Sequence, residues 1–338
     1  MHRRLLPLVL LLLLPALGCT PPREHALLTV KGYIQGNLDA LHDAVVQLQK
    51  DAPLPDEDGW SATRDAAAVS RMKDSWKRAR HSYEHVEGAI AVLFPEYDHS
   101  TDERYDGFIA TRPDDNLFDG QGVTGIHAAE RILWADSIPP RVTEFESGLP
   151  AYSPAAFPAD ARQARDFKEG LLGRLVADVR AMRDQFRPLA LDTPAAYRGV
   201  IGSMAEQLEK TRLAATGEEE SRYARHTLAD MRANVTAGVE TYKAFQPWLR
   251  SLRGGPALDA RILAGFQRLQ DRYASLPGDA LPEVPATWSS QNPSAEDLAT
   301  PFGQLYQLLE EEADPDRDGS LVNAMNASAL LLGIEPLP

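Results

Sequence analysis

Apolar residues recur at intervals of three and four along most of the chain, the repeat of a helix face packed against a neighbour. Leu27, Val30, Ile34, Leu41, Val45 and Leu48 form the first stripe, and a polar, Pro-containing break over Asp51 to Gly59 ends it. Val69, Met72, Trp76, Ala79, Tyr83, Val86, Ile90 and Leu93 then alternate without a miss. This predicts one long helix, stopped by Pro95. A shorter helix is expected from about Gly122 to just before Pro139-Pro140. After Pro158 the pattern resumes through Leu171, Leu175 and Val179, then Met204, Leu208 and Leu213. Leu228, Met231, Val235, Gly238, Tyr242, Phe245 and Leu249 make another long stripe, and further helices are expected at about 256–275, 294–312 and 321–333. No run of alternating β-branched residues asks for a sheet. The pattern predicts an all-α protein of two helical bundles, 26–138 and 159–338, divided by the Pro-rich stretch Pro139 to Pro158. A second Pro-rich connection runs from Leu276 to Pro293.

The N-terminus has a different character. Arg3 and Arg4 precede an almost pure leucine run from Leu5 to Leu14, the build of a secretory signal and too short for a spanning helix. Residues 1–18 are expected to be removed, leaving Cys19 at the mature N-terminus. Gly18 before Cys19 fits a bacterial lipoprotein cleavage site, although Ala16 and Leu17 stand in the reverse of the usual order. Cys19 is the only cysteine, so no internal disulfide can form, and lipid attachment accounts for the odd thiol. Residues 19–25 are expected to be a short extended tether. The chain is expected to be exported and lipid-anchored to a bacterial membrane, on the periplasmic or cell-surface side. The net charge of −14 becomes −16 without Arg3 and Arg4; such a surface repels nucleic acid and attracts cations.

Candidate chemistry centres on Gly125-Ile126-His127-Ala128-Ala129-Glu130. At a spacing of three, His127 and Glu130 project from one helix face, where an imidazole nitrogen and a carboxylate oxygen can meet one cation. They need ligands from elsewhere in the chain. On the wheel of the long helix, Glu87 lies about 70° from the centre of the apolar stripe and Glu84 about 130° away, with His85 facing nearly outward. A carboxylate beside a packed seam must be paired, hydrated or metal-bound. His81, Glu84 and His85 share a face pointing mostly away from the stripe. Asp314-Pro315-Asp316-Arg317-Asp318-Gly319 has the acidic spacing of a calcium loop, but Met325 stands where its bidentate Glu belongs, and a turn is the better reading.

Gly-x-His-x-x-Glu followed by an apolar run and Trp134 resembles the signature of the imelysin-like family, which includes imelysin and the EfeO-type periplasmic components of ferrous-iron uptake. Tyr83-Glu84-His85-Val86-Glu87 with Asp98, Asp102 and Arg104, and Gly217-Glu218-Glu219-Glu220 with Arg222-Tyr223 and Leu228 to Asn234, extend the resemblance over about Tyr83 to Leu249. It implies two bundles of the up-down four-helix type, with metal-candidate residues near their junction. It also implies a ligand set of His127, Glu130, Glu87, Glu84 and Asp102, Asp102 serving either as ligand or as partner to the second ring nitrogen of His127. Arg104 is expected to neutralise the carboxylates, and Glu209 and Tyr223 to support the site from the second half. Arg222-Tyr223-Ala224-Arg225-His226-Thr227 departs from the family's Arg-Tyr-Ser-His-Thr-Asp, putting Arg225 in the place of a His. The function expected is non-catalytic binding of a metal, iron first and zinc, copper or manganese as alternatives, for uptake together with an inner-membrane permease or another uptake component. The other readings are a metallopeptidase using His-x-x-Glu, which lacks the His-Glu-x-x-His arrangement, and a haem- or peptide-binding surface module.

Overall fold

The apolar stripes become helices, and no strand occurs among the described residues of the computed structural model, which are 21–56, 58–61 and 63–335. The signal segment expected at 1–18 and Cys19 lie outside them. In chain order the helices are α1 Pro22–Asp51, α2 Ala66–Glu84, α3 Glu87–Leu93, α4 Pro95–Asp102, α5 Tyr105–Thr111, α6 Gly125–Leu133, α7 Pro140–Ser147 and α8 Ala161–Arg165. A π-helical turn, Asp166–Leu171, leads into α9 Leu172–Phe186. Then come α10 Thr193–Ala214, α11 Thr227–Arg250, α12 Gly255–Ser275, α13 Ala295–Leu298, α14 Pro301–Ala313 and α15 Leu321–Leu331.

Local signals explain many of the boundaries. Asp192 caps α10 by accepting from the Ala195 N–H (2.8 Å), and Ser320 caps α15 by accepting from the Asn323 N–H (3.0 Å). Pro22 opens α1, because its fixed φ suits a first helical position and its missing N–H is not needed there. Residues 22–25, expected to be an extended tether, are therefore helical.

The single long helix expected over 69–93 is instead two, with a turn at His85-Val86 between α2 and α3. The helical ladder stops at Glu84, whose carbonyl accepts from the Asn234 side chain on α11 (3.0 Å). Gly88 on α3 meets Gly199 on α10 so closely that a Cβ on Gly199 would lie 1.8 Å from the Gly88 carbonyl oxygen. The turn aims α3 at α10, and only a pair of glycines permits that approach.

α1 packs along α2 and α9, with α4 and α6 closing on α9. α10, α11, α12, α14 and α15 pack on one another, and α11 also lies against α1 and α2. Thus α9, which follows the Pro-rich stretch and was expected in the second bundle, packs with the first. Its Leu172, Leu175, Val179 and Met182 are buried, and α1 offers a matching stripe.

Candidate metal centre

Where α2, α3, α4, α6, α10, α11 and the 217–226 loop converge, the protein buries an unusual number of charges. Arg80, Glu84, His127, Glu130 and Asp230 are each at most 1% exposed. Burying a charge alone is costly, so such a cluster persists only through mutual pairing.

His127 and Glu130 hold each other. Gly125 opens α6 with φ +90°, and a Cβ there would stand 2.4 Å from the Thr101 carbonyl oxygen, so glycine is required for the helix to start against α4. His127 Nδ1 lies 2.8 Å from Glu130 Oε2. Glu130 Oε1 accepts from the Tyr223 N–H (2.9 Å) and the Ala224 N–H (2.7 Å) of the 217–226 loop. Three protein donors thus occupy Glu130, out of about four acceptor positions on a carboxylate. Expected as a ligand, Glu130 is placed as the group that orients His127. With Nδ1–H donating to Glu130, the other ring nitrogen presents its lone pair. His127 Nε2 is buried without a hydrogen-bond partner, and Asp102 Oδ1 lies 3.5 Å from it. Burial lowers the His127 pKa, against the pull of Glu130, so the ring is neutral at pH 7.

Around that nitrogen stand the carboxylates. Asp102, His127 and Glu220 offer one ligand atom each, all within 4.8 Å of one another, and so do Glu84, Glu87 and Glu220. Either trio can hold a metal ion, and Glu220 belongs to both. Asp102 ends α4, and Asp98 one turn earlier accepts from the Tyr83 hydroxyl, joining two motifs that the sequence presents separately. Glu87 accepts from Asn234 Nδ2 (2.9 Å), and Ser221 donates to Asp230. Asn234 Oδ1 accepts in turn from Gln207 (3.2 Å), which Tyr273 on α12 anchors (2.8 Å).

Two cations share these carboxylates. Arg80 pairs with Asp102 and Glu84, with Glu220 at 2.8 Å and with Asp230 at 3.3 Å. Lys210 reaches Glu84 and Glu87 at 3.3 Å and Glu220 at 2.7 Å. If Glu84, Glu87, Asp102, Glu220 and Asp230 all ionise, five negative charges face two positive ones. The site meets this imbalance unevenly. Burial raises Glu84 and Asp102 well above the carboxylate range despite Arg80, and brings Asp230 to about 6. For Glu220 burial works the same way, but Arg80 and Lys210 outweigh it and hold its carboxyl low.

The other expected residues fall elsewhere. Arg104 lies 4.0 Å from Asp106 rather than on the cluster, and Arg80 does the neutralising assigned to it. Glu209 is exposed on α10, while its neighbour Lys210 points inward. Tyr223 is buried and contributes its backbone N–H to Glu130; its hydroxyl donates to Glu146, which also accepts from Arg131 (2.9 Å). Arg225 is exposed, with φ +53°. Arg80, Lys210, Glu220 and Asp230 are the members the sequence expectation lacked. Glu220 and Asp230 lie inside the family-like segments Gly217 to Glu220 and Leu228 to Asn234, but no spacing rule gives them a role. The 314–319 segment is an exposed turn held by its own hydrogen bonds and an Asp318–Arg261 pair (2.6 Å).

A family model described as imelysin, and named for a peptidase family, matches residues 34–312. The chain belongs to the imelysin family. No curated protein matches it. Among solved structures, a protein described as an iron-regulated protein A precursor from Parabacteroides distasonis superposes with a TM-score of 0.54 at 13% identity, covering 94% of this chain and 95% of that one. An imelysin-like protein from Psychrobacter arcticum gives 0.51 at 12% identity, covering 91% and 92%. At such identities the likeness is one of fold. The imelysin match spans every residue of the cluster, from Arg80 to Asp230, so the buried centre lies within the family's own extent.

Proposed function

We propose that this imelysin-family protein binds a metal ion without catalysis, through His127 Nε2, Asp102 and Glu220, with Glu84 and Glu87 beside them. One observation carries the reading: a buried, neutral imidazole nitrogen with no partner, locked in orientation by Glu130 and facing carboxylates. A carboxylate fixing the far side of a metal-binding His is the usual supporting arrangement. One imidazole with several carboxylates suits iron, and also zinc, manganese or copper. The description of one structural neighbour as iron-regulated favours iron as cargo. The leucine-rich N-terminus and Cys19 favour an exported lipoprotein serving metal acquisition, handing the ion to a membrane permease. No helix among the described residues is long and apolar enough to cross a membrane.

Arg80 and Lys210 act as built-in counter-charges. In the absence of metal they and bound protons balance the carboxylates; an entering ion displaces protons and loosens Lys210, whose long stem can swing. A peptidase needs room for a peptide strand and a free base. The cavity that reaches Glu84 measures about 20 Å³, room for a water molecule. Glu130, the carboxylate nearest His127, is already spent on three donors.

The deciding experiment is metal titration of the purified protein by calorimetry, with iron and zinc, wild type beside His127→Ala. Loss of the tight site in the variant is expected. Equal binding by both proteins would sink the assignment.

A further inference from the structure

A second constellation of metal-binding side chains lies outside the buried cluster, on the last turn of α2. His81 and His85 are four residues apart, and their rings stand 4.5 Å apart, centroid to centroid. His81 is exposed, His85 is half-buried, and His85 keeps helical backbone angles, so the pair still shares one face. Two imidazoles at this helical spacing form a ready chelate, the geometry that zinc sites built on helices use.

The surroundings of His85 favour the same use. Its Nδ1 is hydrogen-bonded to the Tyr33 hydroxyl of α1. With the proton on Nδ1, Tyr33 plays the supporting role that Glu130 plays for His127, and Nε2 carries the free lone pair. That Nε2 is buried with no hydrogen-bond partner. Leaving a buried imidazole nitrogen unpaired is costly, and a cation shared with His81 removes the cost. Glu240 on α11, paired with Lys243 at 2.7 Å, adds a negative charge in the neighbourhood of His85. His85 also lines the small cavity whose inner wall includes Glu84, so this face is the outer side of the wall around the buried cluster.

We propose that His81 and His85 form a second cation site on the protein surface, taking a borderline divalent ion such as Cu²⁺, Zn²⁺ or Ni²⁺, with Tyr33 orienting His85. The site stands independently of the inner assignment, and its test is built to be independent as well.

Copper serves as probe, because its electron paramagnetic resonance spectrum counts coordinated nitrogens. The protein carries His127→Ala, which removes the inner imidazole. One equivalent of Cu²⁺ is expected to give a spectrum split by two nitrogens. Adding His81→Gln, an exposed change that leaves the metal-free melting temperature in place, should abolish that pattern and most of the affinity. Tyr33→Phe should keep two nitrogens and weaken binding about tenfold. The proposal is overturned if the His127→Ala parent binds no copper, or if its copper shows no nitrogen coupling. It is equally overturned if His81→Gln changes neither spectrum nor affinity.

Discussion

At the scale of single residues, the decisive feature is the division of labour between His127 and Glu130. Glu130→Gln tests it sharply. The amide oxygen can still accept from Tyr223 and Ala224, but the amide nitrogen then faces His127 Nδ1 and must donate to it. That forces the proton onto Nε2 and removes the lone pair facing Asp102 and Glu220. Calorimetry should show a folded protein with metal affinity lowered about 10–100-fold; an unchanged constant would place Glu130 outside the site's chemistry. Lys210→Met addresses the counter-charge. Removing one partner from a buried ionic cluster costs about 3–5 kcal/mol, read from denaturant unfolding of the metal-free protein. Metal affinity should rise in the same variant, because one competing cation is gone. A fall in both quantities would mean that Lys210 is structural only. The affinity of the wild type should climb as pH rises through about 6, where burial places the Asp230 titration, and burial also raises Glu84 and Asp102, so that metal must displace protons to bind.

Elements set where those residues meet. The Gly88–Gly199 contact holds α3 against α10 and thereby brings Glu87 to Lys210. Gly199→Ala gains helix propensity of about 1 kcal/mol. Its Cβ, however, would press into the Gly88 carbonyl, and overpacking of that kind costs about 1–3 kcal/mol. A net loss of stability is expected, together with weaker metal binding; a stabilised variant would refute the close approach. The Tyr83–Asp98 bond ties α2 to α4 with a pH signature. Burial raises the Asp98 pKa to about 7, from an unfolded value of about 3.9. A raised folded pKa means that the native state holds a proton the unfolded chain has lost. The stabilisation is therefore complete below about pH 4 and disappears as pH rises through 7. Asp98→Asn keeps an acceptor and cannot ionise, so its stability relative to wild type should improve from pH 5 to pH 8. A parallel pH profile for the two proteins would rule this out.

For the whole molecule, the cluster lies where the two groups of helices meet. Ligand candidates come from α2, α3, α4 and α6 on one side and from the 217–226 loop on the other. Metal should therefore raise the melting temperature of the whole protein in one cooperative step, by mass action. Two calorimetric transitions, only one of them metal-sensitive, would contradict a shared centre. Peptide-library digestion with zinc- or iron-loaded protein should show no metal-dependent cleavage; cleavage abolished in Glu130→Gln would revive the peptidase reading.

Helix content and most helix positions are determined by sequence alone, because a three-four stripe has no other way to bury itself. The Gly-x-His-x-x-Glu segment, the glutamates at 84 and 87 and Asp102 were legible for the same reason that the family is: residue types at fixed spacing leave a trace in one dimension. The rest needed tertiary structure. A helical wheel sees one helix and not its neighbours, so it sets Glu84 further from the packed seam than Glu87; α10 and α11 cover both glutamates, through Lys210 and Asn234. Arg80 and Lys210 carry no mark in the sequence, since nothing local distinguishes a solvated arginine from one paired with four carboxylates. Glu220 and Asp230 become site residues only because the 217–226 loop folds back onto α6, about 90 residues away in sequence, and α11 packs on α2, where Asp230 meets Arg80. Packing, not periodicity, decides which buried charges face one another, and that is the information the order of the residues does not display.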